Sequence, residues 1–133
     1  MVLAPVTDAS GLVLDAEGKS LYTVSRSEHQ LLEIDARNGG AVLFARDAAD
    51  PVGVALTRDG GVLVADAEGR TVLRYNRSTR TLVSTLELTF TPSRLDAIGD
   101  GVFLLNQRGK QDALEVVALQ PALAAYFVPA PQE

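Results

Sequence analysis

The single histidine of the sequence, His29, is the residue best suited to proton transfer near neutral pH. Ser25, Ser27 and Glu28 precede it, so this short segment contains the side-chain types of a hydrolytic triad. A triad depends on the spatial roles of its members, and adjacent residues of one turn point in different directions. We therefore expect His29 to be a solvated turn residue, and the sequence predicts no catalytic residue.

The acidic residues are the second set with possible chemistry, because carboxylate oxygens bind hard cations such as Ca²⁺. Their spacing matches neither an EF-hand loop nor an Asp-rich nonapeptide repeat. Most follow turn signals, where Asp accepts local backbone hydrogen bonds. We expect no dedicated metal site and no cofactor, with an incidental ion as the alternative. The candidate ligands are Asp15, Glu17, Asp59, Asp66, Glu68, Asp96 and Asp100.

A run of arginines is the third chemical feature and comprises Arg70, Arg74, Arg77 and Arg80. No platform of aromatic residues for stacking bases accompanies the run, so we expect a solvated face rather than a nucleic-acid site. The net charge of −5 also argues against nucleic acid and anionic membrane surfaces as partners.

Length and composition indicate one domain of 133 residues with a hydrophobic fraction of 47%. The chain contains no cysteine, which excludes disulfides and thiolate metal sites. Met1–Pro5 lacks the basic start and apolar run of a secretion signal, and the apolar region 113–130 is interrupted by polar residues and prolines. We expect a soluble protein and leave its localisation open.

These side chains are positioned by a repeat whose clearest copy spans residues 50–88. Gly11 and Gly53 are 42 residues apart, and Pro51 and Pro92 are 41 apart. Four short β-branched or apolar runs, separated by turn signals, fill each period, and a period of about 40–45 residues with four strands is typical of a propeller blade. The sequence therefore predicts an all-β fold of three four-stranded antiparallel meanders, at about 9–45, 50–88 and 91–129 of one domain 1–133.

The predicted strands follow from the same pattern in each repeat. Ala113–Leu119 and Leu123–Val128 contain helix-favouring residues, but the repeat register indicates strands. A five-residue link is expected at Arg46–Asp50, and Val2–Val6 is expected to be an edge strand because it contains a proline. The twelve repeat strands are predicted at Gly11–Asp15, Ser20–Ser25, Gln30–Asp35, Ala41–Ala45, Gly53–Thr57, Val62–Asp66, Thr71–Asn76, Thr81–Leu88, Ser93–Ile98, Val102–Asn106, Ala113–Leu119 and Ala124–Val128.

The second repeat carries a recognisable motif: Pro51-Val52-Gly53-Val54-Ala55-Leu56, then Asp59-Gly60, then Val62-Leu63-Val64-Ala65-Asp66 and Val72-Leu73-Arg74-Tyr75. It resembles the NHL family of β-propeller repeats and the related YVTN-type blades. The first repeat fits the pattern, whereas in the third Arg94 replaces the glycine and Asn106 the aspartate. The resemblance covers nearly the whole chain.

The resemblance also implies where a site would lie. In such blades the first strand lines the central channel, and the turns between strands two and three share the ligand-binding face with the links between blades. Asp50, Thr91 and Arg94 would be the link residues on that face. The turn residues placed there are Arg26, Glu28, His29, Asp66, Glu68, Arg70, Asn106, Arg108 and Lys110.

Three blades cannot close a ring, because closed propellers have about four to eight blades. Open strand edges invite pairing, so we expect a homodimer that completes a six-bladed ring. The expected function is a non-catalytic scaffold that self-assembles and binds a ligand or protein on its turn-rich face. The alternative is a fragment of a lactonase-like or lyase-like propeller enzyme with a metal at the channel mouth.

Overall fold

A computed structural model describes residues 6, 8–57, 60–99, 102–107, 113–118 and 124–129. These residues form three four-stranded antiparallel sheets, which we call the first, second and third blades. In each blade the strands pair in chain order. The strands are β1 (Ala9–Leu14), β2 (Ser20–Ser25), β3 (Gln30–Asp35), β4 (Ala41–Ala45), β5 (Pro51–Leu56), β6 (Gly61–Asp66), β7 (Thr71–Asn76), β8 (Thr81–Glu87), β9 (Pro92–Gly99), β10 (Val102–Gln107), β11 (Ala113–Ala118) and β12 (Ala124–Pro129).

The predicted fold and its twelve repeat strands are confirmed, with ends that differ by one or two residues. The link at Arg46–Asp50 contains no helix. The predicted edge strand Val2–Val6 lies outside the described residues except for Val6, which is not in a strand. The described part of the chain contains no helix that could cross a membrane.

Hydrophobic runs buried on both faces explain why the second blade occupies the middle of the stack. Residues Val62, Leu63, Val64 and Ala65 of β6 are all buried. Val62 and Val64 face the first blade, whereas Leu63 and Ala65 face the third. A strand that must bury both faces has apolar residues in succession instead of an apolar–polar alternation.

Two separate cores fill the spaces between the blades. Between the first and second blades, Phe44 lies edge-on to Tyr22 and to Tyr75, at ring-centroid distances of 6.0 and 5.8 Å. Between the second and third blades, Phe90 and Phe103 pack with aliphatic residues such as Leu63. Interblade burial of apolar side chains is therefore the main interaction that holds the stack together.

The first strands of the three blades, β1, β5 and β9, lie side by side. The hydroxyl of Ser10 on β1 donates to the carbonyl oxygen of Val52 on β5 at 2.8 Å. A Cβ atom on Gly53 would lie 2.8 Å from the backbone nitrogen of Leu95 on β9. Glycine is required here because the neighbouring inner strand leaves no room for a side chain.

Several four-residue turns end in a residue with left-handed backbone conformation. His29, Arg70 and Arg80 have φ values of 57°, 51° and 57°, and each directly precedes a strand. The predicted tight turn at Asn38-Gly39-Gly40 is also present, with φ of 76° at Gly39. The Asn38 side chain accepts a hydrogen bond from the Gly40 amide at 2.7 Å.

Candidate functional site

The β2–β3 turn, the β6–β7 turn and the link 46–50 meet at one end of the stack, which we call the link end. Arg26, from the first of these turns, donates two hydrogen bonds to the Asp50 carboxylate, at 2.9 and 3.0 Å. The hydrogen bond to Asp50 is the main cause of the raised pKa of Arg26. This bidentate pair fixes the first turn to the link between blades.

Asp66 fixes the same link from the second blade. Its side chain is buried and accepts hydrogen bonds from the backbone amides of Ala49, at 3.1 Å, and Asp50, at 2.9 Å. The Ala67 amide donates in return to the Asp50 carbonyl at 2.9 Å. The aspartate of the V-A-D segment therefore closes the link onto β6, which is a structural role.

A cleft of about 440 Å³ lies at the link end, and its lining includes His29, Arg46, Asp47 and Glu68. The buried hydroxyl of Tyr75 donates to Asp47 at 3.0 Å. Burial and this hydrogen bond raise the pKa of Tyr75 above its ordinary value. The cleft thus carries side chains of both charges beside an imidazole, and it can form hydrogen bonds and ion pairs with a polar ligand.

The structure brings the candidate residues of the first two repeats together at the link end, where some stabilise the link and others line the cleft or are exposed. Arg26 and Asp66 hold the link, whereas His29 and Glu68 line the cleft. Glu28 and Arg70 are exposed in the two turns of this end. The backbone of Asn106 belongs to β10, and Arg108 and Lys110 lie outside the described residues.

Two sequence-based placements change in the structure. Ser25, a member of the imagined triad, is fully buried, and its hydroxyl oxygen accepts a hydrogen bond from the Glu28 amide at 3.4 Å, so it organises the turn. Arg94, expected in the link before the third blade, lies within β9 and pairs with Asp96 at 2.9 Å. The link comprises residues 88–91, and Arg94 belongs to the strand that the repeat pattern predicts at Ser93–Ile98.

A second polar cluster lies at the opposite end of the stack, between the first and second blades. Arg77 donates to the Tyr22 hydroxyl and to Asp15, both at 3.1 Å, and its guanidinium lies 5.4 Å from the centre of the Tyr22 ring. Arg80 donates to Glu33 at 2.7 Å. We call these five residues the interblade cluster.

Arg80 is exposed, as predicted for a solvated face, but Arg77 is half-buried, and both guanidinium groups form ion pairs across the two blades. Their partners are 62 and 47 residues away, so no local spacing indicates the contact. The available signal was the repeat register, which places the β7–β8 turn of the second blade beside the first blade. Carboxylates at Asp15 and Glu33 would then have been the natural partners for two arginines.

Electrostatics of the interblade cluster depend on burial and on hydrogen bonds. Burial acts to raise the pKa of Asp15, but hydrogen bonds from the amides of Lys19 and Ser20 and the charge of Arg77 outweigh it and leave the pKa below its ordinary value. Burial and the hydrogen bond from its hydroxyl to Glu33 raise the pKa of Tyr22. At neutral pH the Asp15 carboxylate that faces Arg77 is therefore ionised, and the Tyr22 hydroxyl keeps its proton.

Within the described ranges, no group of three or more His, Asp or Glu side chains is arranged to hold a metal ion. Asp15 and Asp66 instead accept backbone hydrogen bonds, as expected for aspartates at turns and links.

No protein-family model and no curated protein matches this sequence. Solved structures match it along nearly its whole length. The chain superposes with a TM-score of 0.78 on a structure from a nidogen–laminin complex, at 14% identity, covering 96% of this chain and 52% of that one.

Two bacterial proteins show the same similarity. Hydrazine synthase from Kuenenia stuttgartiensis matches with a TM-score of 0.74 and 17% identity, over 94% of this chain and 37% of that chain. Virginiamycin B lyase from Staphylococcus aureus matches with a TM-score of 0.72 and 13% identity, over 94% of this chain and 42% of that chain. The chain thus spans between about a third and a half of the length of these structures.

The structural neighbours are β-propeller proteins with unrelated activities, so the similarity establishes the architecture and not the chemistry. Together with the three stacked meanders, it shows that this chain is an all-β partial propeller of three blades.

Proposed function

We propose that this chain is a non-catalytic, NHL-like scaffold that self-associates, so that two copies complete a six-bladed ring. One observation carries the proposal: the outer face of the first blade has the apolar character of a blade interface. Leu12 and Leu14 are 63% and 55% exposed on this face, and Leu43 is exposed as well.

Comparison of equivalent positions shows what this face matches. In the second blade, Val54 and Leu56 of β5 pack against the first blade. Their equivalents one repeat earlier are Leu12 and Leu14, which face away from the second blade. The first blade therefore presents to solvent the surface that the second blade buries, and exposed apolar patches of this kind mark interaction sites.

The partner that fits this surface is another blade, and a second copy of the chain supplies one. The outer face of the third blade carries Arg94 and Asp96 on β9, where the second blade has Gly53 and Ala55. In a two-fold dimer each copy would place this face against the first blade of the other. The two interfaces between the copies, which we call the seams, would then be wider and more polar near the channel than the interfaces between blades of one chain.

The NHL-like assignment is supported by the second blade. Its P-V-G-V-A-L segment forms β5, with the glycine packed closely against Leu95 of β9, and its V-A-D segment ends in the carboxylate that holds the link. Gly53 and Asp66 of the motif thus have structural tasks, which suits a scaffold.

We place a binding surface for a ligand or protein at the link end. Glu28, His29, Glu68 and Arg70 are exposed there, whereas Arg26 and Asp66 are occupied in holding the link. Substituting the four exposed residues together, with asparagine at His29 and Arg70 because it tolerates their left-handed backbone, should remove binding of any peptide selected on an array while the variant remains folded by circular dichroism. A selected peptide that binds the quadruple variant equally well would contradict this placement.

The solution mass tests the assembly. Light scattering on a sizing column should give about twice the monomer mass of 14.1 kDa. A monomer at concentrations up to those used for structural work would contradict the ring, and a mass well above twice the monomer would indicate an open chain of copies instead.

A further inference from the structure

We propose that the cleft between the first and second blades, at the end opposite the link end, binds a neutral polyhydroxylated ligand such as a saccharide. The cleft measures about 480 Å³, which lies within the range of small-molecule sites. Among the described residues it is lined by Ser20, Tyr22, Glu33, Gly60, Arg77, Ser78 and Arg80. It lies within one chain, so the proposal does not depend on self-association.

The lining side chains combine many donors with fixed acceptors. Arg77 uses two of its five N–H groups on Tyr22 and Asp15, and Arg80 uses one on Glu33. Among the described residues, no other partner engages these two guanidinium groups, and the hydroxyls of Ser20 and Ser78 also have none. The cleft therefore offers unused donors beside a carboxylate that retains acceptor capacity.

An apolar ligand does not fit this surface. Covering charged groups with hydrocarbon removes their water without replacing its hydrogen bonds, which is costly. Tyr22, the aromatic residue among the described lining, is 1% exposed and offers no ring face for stacking.

An anion is also disfavoured, because both arginines already have carboxylate partners. Glu33 is anchored by the Tyr22 hydroxyl as well as by Arg80, so it cannot easily move aside. A phosphate or carboxylate would have to break the 2.7 Å pair between Arg80 and Glu33 or approach the Glu33 charge directly. A cation is disfavoured as well, because the two guanidinium groups would repel it.

A pair of hydroxyls on adjacent carbons satisfies the cleft without breaking either ion pair. One hydroxyl oxygen accepts from an unused N–H group of Arg80, and the other donates to Glu33. Hydrogen bonds to charged groups are stronger than those between neutral groups. The ion pairs hold the donors and acceptors in place before the ligand arrives, which reduces the entropy lost on binding.

The test follows amide chemical shifts of the ¹⁵N-labelled protein during titration with maltose, cellobiose, methyl mannoside and, separately, inorganic phosphate at matched ionic strength. We expect at least one sugar to shift the amides of residues 20, 33, 60 and 77–80. Glu33→Gln should weaken that binding about tenfold, which is the effect of one hydrogen bond to a charged group.

Arg37→Gln is the matched control, because Arg37 pairs with Asp35 on a neighbouring turn of the same end but does not line the cleft. Ser78→Ala leaves both ion pairs intact and should also weaken binding. This second variant keeps the test decisive if the Glu33 variant does not fold. Shifts of the cleft with phosphate alone would overturn the neutral class of ligand. Absence of cleft shifts with all three sugars would overturn the site.

Discussion

The guanidinium of Arg77 and the carboxylate of Asp15 form an ion pair at 3.1 Å between residues that are 62 positions apart. The Asp15 side chain is only 5% exposed, so the pair is a cross-blade contact within the structure rather than a surface feature. It connects the β1–β2 turn of the first blade with the β7–β8 turn of the second.

Replacing Asp15 by asparagine should lower the melting temperature at pH 7. The pKa of Asp15 is lowered in the folded state by its hydrogen bonds and by Arg77, so ionised Asp15 stabilises the fold. That contribution is fully present above the unfolded-state pKa of about 3.9 and is lost as the pH falls through the lower folded-state pKa. Melting curves from pH 7 to pH 2 should therefore show the wild type and the variant converging below about pH 4.

Asp35→Asn is the control for this effect, because Asp35 pairs with its near neighbour Arg37 and both are more exposed. It should lower the melting temperature less than Asp15→Asn does. Equal losses in the two variants would mean that the cross-blade pair contributes no more than an exposed one.

Replacing Gly53 by alanine should lower the free energy of unfolding by about 1–3 kcal/mol, as expected for overpacking. The new Cβ would lie 2.8 Å from the nitrogen and 2.9 Å from the Cβ of Leu95. Urea unfolding measures the change. Gly40→Ala is the control: its Cβ would meet only the Asn38 side chain, which can move, so a change within about 0.5 kcal/mol is expected.

Arg70 tests the cost of the left-handed turn residue. A non-glycine residue in the left-handed conformation lowers the free energy of unfolding by about 1–2 kcal/mol through steric strain. Glycine avoids this strain but loses more backbone conformational entropy on folding. With φ of 51° at this position, Arg70→Gly should be neutral or up to about 1 kcal/mol more stable, and Arg70→Val should be less stable. A valine variant as stable as the glycine variant in urea would show that the turn tolerates a β-branched residue.

Leu12→Glu tests the outer face of the first blade as a seam. Placing a charge on this exposed leucine should weaken self-association more than tenfold, because the apolar area buried by one leucine corresponds to about 1.5–3 kcal/mol. Sedimentation over a concentration series measures it. Val83→Glu, also at an exposed apolar residue but on the outer strand β8, should leave the mass unchanged. Equal effects of both changes would argue for non-specific association.

The strands were predictable because their signals are local. Alternating or continuous apolar runs and turn residues recur at each period, so even Ala113–Ala118 and Ala124–Pro129 were assigned correctly despite their alanine content. Pro51 and Pro92 begin β5 and β9, one or two residues earlier than predicted. Proline is tolerated there because it is the first residue of an edge strand, a position at which its missing N–H group does not interrupt the ladder.

The candidate site was predictable only in part. The turns of the link end follow from repeat register, which puts His29 and Glu68 at the same end of the stack, and the structure shows that both line one cleft. The roles of Arg26 and Asp66 depend on which backbone amides and carboxylates lie opposite them in the link. Contacts such as Arg77 with Tyr22 require the packing of one blade on the next, which residue spacing does not specify.

Arg94, at the position of the motif glycine, makes the two outer faces of the stack different. Gly11 and Gly53 leave room for the next inner strand, with Val54 and Leu95 as close neighbours, whereas the third blade ends in an ion pair. An interface on the first blade can therefore bring another inner strand close, whereas an interface on the third blade must accommodate the Arg94–Asp96 pair. Replacing Arg94 by glycine would therefore be the first change to make in adding a fourth blade with an inner strand packed as closely as β5 packs on β9.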